Sequence, residues 1–164
     1  MDTLQTFELL SYLVTIVALP FAIGVFLFEQ RKERENEEEE AYLELAASYT
    51  EFLELVLANP ELKLRGTTRT LNLTEDQSER MIVILEILIS LFERAYILLY
   101  EPALTGKALR RWRSWEDYMR EWCRREDFRD RLPQLLAGED AEFATFIREL
   151  AASEGQVVLG PVAN

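Results

Sequence analysis

The sequence predicts an all-α chain: a single N-terminal transmembrane helix continuing into a charged helical stalk, then a small cytosolic helical bundle. Three observations carry this expectation. Residues 9–28 hold no charged side chain. Residues 29–40 read EQRKERENEEEE. From residue 41 onward, apolar side chains recur at three- and four-residue spacing, and Pro and Gly punctuate them.

The membrane segment covers residues 7–28. As a helix rising ~1.5 Å per residue, roughly 20 uncharged residues span ~30 Å, the hydrocarbon thickness of a bilayer. Lipid offers no partner to a free backbone amide, so such a segment is helical. A buried core helix would be shorter and show a polar edge. A cleaved signal peptide needs a basic leader and a small-residue cleavage site, and no base precedes Phe7. The membrane-embedded set is Phe7, Tyr12, Pro20, Phe21, Gly24, Phe26 and Phe28, within residues 1–28. Pro20 removes one helical hydrogen bond and predicts a kink near residues 16–20. Arg31, Lys32 and Arg34 follow the span, whereas Asp2 and Glu8 precede it. Positive flanks stay on the cytosolic side. This places the N-terminus outside a bacterial inner (cytoplasmic) membrane and the C-terminal domain in the cytosol.

Composition narrows the function. The 164 residues carry 30 acids against 18 bases, a net charge of −12. A nucleic-acid binder needs the opposite balance, so no nucleic-acid partner is expected. There is no histidine and one cysteine, Cys123. The commonest general base and metal ligand is therefore missing, and no disulfide can form within one chain. No GxGxxG, GxxxxGK[ST], HExxH, CxxC or GxSxG pattern occurs. We expect no enzyme: no catalytic residue, no metal ligand and no cofactor. Cys123 lies beside Arg124 and Arg125, where positive charge can lower a thiol pKa, but a lone cysteine without histidine reads as structural.

Residues 29–40 form the stalk. Arg31 precedes Glu35 by four residues and Arg34 precedes Glu38 by four, so ion pairs can support a helix weakly. Neither Gly nor Pro interrupts residues 25–58, which predicts one rod leaving the membrane. The bundle follows over residues 41–152. Tyr42, Leu45, Ala46, Tyr49, Phe52, Leu53, Val56 and Leu57 give its first helix one core face. Asn59-Pro60 ends that helix, and residues 61–73 form a loop with Gly66 as its turn.

Thr74-Glu75-Asp76-Gln77 matches a capping box and opens the next helix. Residues 81–100, MIVILEILISLFERAYILLY, are the most apolar of the soluble half. Two readings stand: a central bundle helix, or a second membrane span. Glu86, Glu93 and Arg94 in the middle favour the bundle, because each charge at a bilayer centre costs ~2.5–3.5 kcal/mol. Glu86 and Glu93 belong to a narrow polar stripe rather than to a metal site, since di-iron bundles require histidine.

A long helix over about 107–132, stopped by Pro133, holds all three tryptophans, Trp112, Trp115 and Trp122. It also carries half of the bases. Its bland reading is an aromatic core stripe under a basic solvent face. Its sharper reading is a docking surface made of Trp112, Trp115 and Trp122 with Arg110, Arg113, Arg120 and Arg124, because Trp and Arg are enriched at interface hot spots. Asp140 then caps a short last helix with Phe143, Phe146, Ile147 and Leu150 on its apolar side. Residues 153–164, SEGQVVLGPVAN, read as a non-helical tail.

An anchor, a Glu-rich stalk, an Asn59-Pro60-Glu61-Leu62 turn and a Trp-rich helix together resemble the layout of bacterial single-pass membrane proteins. The resemblance implies an anchored helical domain and carries no known active-site residues. The function expected is a non-catalytic single-pass subunit that packs into and stabilises a larger integral membrane complex, an energy-transducing respiratory or photosynthetic one being a natural host. Its partners are that complex and the lipid bilayer, with Phe21, Phe26 and Phe28 offering surfaces for pigment or lipid. The alternative is a membrane-tethered adaptor or sensor that recruits a protein through the Trp/Arg helix.

Overall fold

The computed structural model describes the backbone of residues 3–158 and the side chains of residues 18–156. Among these residues the secondary structure is helical throughout: α1 (Thr3–Ala58), α2 (Glu75–Leu99), α3 (Gly106–Cys123), α4 (Glu126–Leu135) and α5 (Ala141–Val158), with a 3-10 turn at Pro60–Leu62. The chain divides into two compact units, Met1–Leu43 and Glu44–Asn164.

In the first unit, α1 passes through Pro20 without a break. The side chains of residues 18–38 are all exposed. No ion pair joins Arg31 to Glu35 or Arg34 to Glu38, so the stalk helix persists without the pairs its spacing suggested. Among the described residues, no helix is long and apolar enough to cross a membrane. The side chains of residues 7–17, including Phe7 and Tyr12, lie outside the described set.

The second unit begins with the last turns of α1. Leu45, Tyr49, Phe52 and Val56, at four-, three- and four-residue steps, form its buried stripe. Leu57, expected on that stripe, is exposed instead, one step off the face. Asn59 leaves the helical region before Pro60, and its side-chain amide donates to the Leu55 carbonyl at 2.8 Å. In the loop that follows, Lys63 and Asn72 take left-handed backbone angles, with φ 48° and 59°. Gly66 does not, although its N–H closes a turn on the Lys63 carbonyl at 3.0 Å.

α2 starts at the capping box: Thr74 Oγ1 accepts the Gln77 N–H, and Gln77 Oε1 accepts the Thr74 N–H. Met81, Leu85, Leu88, Ile89 and Phe92 are fully buried, and α3, α4 and α5 all pack against this helix. Residues 81–100 are therefore the central bundle helix rather than a second span.

The long Trp/Arg helix is two helices. α3 ends at Cys123, Arg125 adopts extended backbone (φ −77°, ψ 127°), and α4 starts at Glu126. Pro133 does not stop α4, which runs on to Leu135; the proline falls late enough to cost only one bond to the preceding turn. α5 opens at Asp140, whose Oδ1 accepts the Glu142 and Phe143 N–H groups at 3.0 and 2.9 Å. It extends to Val158, so the first half of the expected tail is helical; residues 159–164 lie outside the described set.

Candidate functional site

The residues expected to dock a partner separate into two groups, and helical periodicity decides which. Trp112, Trp115, Met119 and Trp122 follow three- and four-residue steps along α3 and turn inward; Trp115 is 1% exposed. Trp115 meets Tyr49 edge-on at 5.7 Å between centroids, and Trp122 meets Phe52 the same way at 5.4 Å. The Trp122 indole N–H donates to the Tyr49 hydroxyl at 3.3 Å, which satisfies a buried donor. Trp112 belongs to a second aromatic cluster with Tyr96, Tyr100 and Phe146. These tryptophans are the core, not the docking surface.

The four arginines point outward but are not equivalent. Arg120 and Arg124 converge on Glu154 of α5, at 3.2 and 2.9 Å, and Arg120 also pairs with Glu116. Glu154 is a buried carboxylate, and the adjacent Arg124 guanidinium holds its pKa below the ordinary carboxylate value against the opposing effect of burial; Arg120 adds to the lowering. Arg110 and Arg113 are exposed and make no ion pair among the described residues. They are what remains of the expected docking set.

Sequence reasoning missed two positions. Glu154 fell in the stretch read as a tail. Arg125 was counted with the surface bases, yet it is 1% exposed. Its guanidinium donates to the Lys63 and Gly66 carbonyls, both at 2.8 Å, and to Thr70 Oγ1 at 2.9 Å. It is paired with Asp127 through Nη2 to Oδ2 at 2.7 Å. The Glu126 N–H donates to the Thr67 carbonyl at 3.0 Å. One guanidinium thus ties the loop after α1 to the α3–α4 corner. The available signal was Glu126-Asp127, a pair of acids of the kind that opens a helix.

Cys123 ends α3 beside this corner and is buried. Burial pushes the Cys123 thiol up to about 12, so it stays protonated at neutral pH. Among the described residues no group of three or more His, Cys, Asp or Glu is placed to hold a metal ion.

Between the second-unit turns of α1 and α2 lies an open groove of about 450 Å³. Phe52 and Leu91 form its floor, Leu55, Val83 and Ile87 its apolar walls, and Glu51 and Glu86 its charged rims. Arg94 also lines it.

No family model, curated protein or solved structure matches the chain.

Proposed function

We propose that the chain is a non-catalytic membrane subunit, held in a larger membrane complex by the apolar part of α1, with the helical bundle on the cytosolic side. One observation carries the reading. Over residues 18–28 the apolar side chains are exposed on every side of the helix. Leu19, Ile23 and Phe26 share one side; Phe21 and Phe28 occupy the opposite side, and Phe21 is 72% exposed. A helix that is apolar all round belongs inside a protein interior or a bilayer. With residues 9–17 the uncharged run reaches the length of a span. Residues 18–28 would then be the half nearer the basic flank of Arg31, Lys32 and Arg34, which supports a cytosolic bundle.

Copurification from native membranes in mild detergent tests the proposal. A stoichiometric complex that survives washing is expected. A chain recovered alone from the membrane, binding partners only on a signal, would replace the subunit with the tethered adaptor, and Arg110 and Arg113 would be the first residues to examine.

A further inference from the structure

We propose that the exposed face of α2 is a self-complementary docking surface for a second copy of this chain, with the two α2 helices antiparallel and crossing at Ser90. The face consists of Val83, Glu86, Ile87, Ser90, Arg94 and Ile97, which follow three- and four-residue steps along one side of the helix. All six are exposed, and Ile97 is 60% exposed. Among the described residues, neither Glu86 nor Arg94 has an ion-pair partner.

The order of residues selects the occupant. In an antiparallel pair related by a two-fold axis, residue i of one copy meets residue j of the other, and j meets i in return. With the axis at Ser90, positions equidistant from it come together. Glu86 then faces Arg94 of the second copy, and Arg94 faces Glu86. Val83 faces Ile97, and Ile97 faces Val83. Both charges of the face thus meet their opposites, and Val83 and Ile97 meet each other. The parallel arrangement would set Glu86 on Glu86 and Arg94 on Arg94. Ser90, with its small side chain, allows close approach at the crossing point. The groove beside α2 adds Leu55 to the apolar area that the second copy covers.

Self-association of the full chain in mild detergent, measured by sedimentation across a concentration range, tests this. The parent is expected to dimerise. Glu86→Arg and Arg94→Glu should each weaken the dimer by ~10-fold or more, because each sets like charges opposite one another twice. An equimolar mixture of the two single variants should recover the dimer, and so should the double variant E86R/R94E, since opposite charges are then restored. Val83→Lys, at the far end of the face, should weaken it independently. A parent that stays monomeric overturns the proposal. So does parent-like dimerisation of both single charge variants or of Val83→Lys, or a double variant that remains as weak as the singles.

Discussion

Arg125 and Asp127, two residues apart in sequence, are locked together in the interior at the corner between α3 and α4. Arg125 Nη2 donates to Asp127 Oδ2 at 2.7 Å. Its Nε stands 2.5 Å from Oδ1 as an ion pair without hydrogen-bond alignment. The guanidinium spends its remaining donors on Lys63, Gly66 and Thr70. Asp127 Oδ2 also accepts the Thr70 N–H at 3.4 Å. Taking two charges out of water is costly, and the surrounding hydrogen bonds offset that cost.

Removal of one partner should be severe. Arg125→Ala leaves a buried carboxylate without its cation and removes a donor from the Lys63 and Gly66 carbonyls, and is expected to cost ~3–5 kcal/mol. Arg125→Lys should rescue little, because a single ammonium cannot reproduce the planar fork. Urea unfolding measures both. A loss below ~0.5 kcal/mol for Arg125→Ala would class it with ordinary surface sites and contradict the geometry.

The tryptophans and the outer arginines should separate in the same assay. Trp115→Ala is expected to cost ~3–5 kcal/mol through lost packing. Arg110→Ala and Arg113→Ala should stay within ~0.5 kcal/mol of the parent. Arg120→Ala and Arg124→Ala fall between, since each leaves Glu154 one cation; the double variant should lose more than the sum of the singles.

Two carboxyl groups should impose opposite pH dependences. Glu154 has a lowered folded pKa, chiefly through its bond from Arg124. Its contribution is present above the unfolded carboxylate range and is lost as pH falls through the folded value. Glu139 is raised from 4.5 to about 7, first by burial and then by its contact with Glu93. For this group the unfolded chain ionises first, so stability declines as pH rises from about 4.5 to about 7. Glu139→Gln should remove that decline, and Glu154→Gln should remove the loss on the acid side. Thermal midpoints recorded from pH 2 to 8 test both signs. An unchanged slope in either variant rejects the corresponding assignment.

Much of the fold was legible from periodicity and caps. Thr74 and Asp140 were readable because a capping residue acts within four residues of itself. The stripe of Leu45, Tyr49, Phe52 and Val56, and the buried side of residues 81–100, followed from helical spacing. The α3–α4 break was not readable, because neither Gly nor Pro marks it. Arg125 leaves the helix in favour of carbonyls some 60 residues earlier in the chain, at Lys63 and Gly66, and a local pattern cannot show that exchange. The helical tail was missed for a related reason: Gly155 argues against a helix locally, while Glu154 gains Arg120 and Arg124 only in the folded bundle. The docking set was half legible. Composition pointed to the Trp/Arg helix, but only the three-dimensional register shows that its tryptophans face inward.

Topology requires an introduced thiol, because Cys123 is buried and would escape labelling from either side. Thr68 is exposed. In a Cys123→Ala background, Thr68→Cys should react with an impermeant maleimide only after intact cells are lysed. Labelling before lysis would place the bundle outside and reverse the orientation drawn from Arg31, Lys32 and Arg34.

The central claim is that the apolar half of α1 is seated in a membrane, and extraction of membranes with alkaline carbonate tests it most directly. The full chain should remain in the pellet and leave it only with detergent. Phe21→Arg combined with Ile23→Arg should release it, as two charges within the span cost ~5–7 kcal/mol on insertion scales. A fragment beginning at Glu37 should be found in the supernatant from the start. A full chain that carbonate strips into the supernatant without detergent would contradict the anchor.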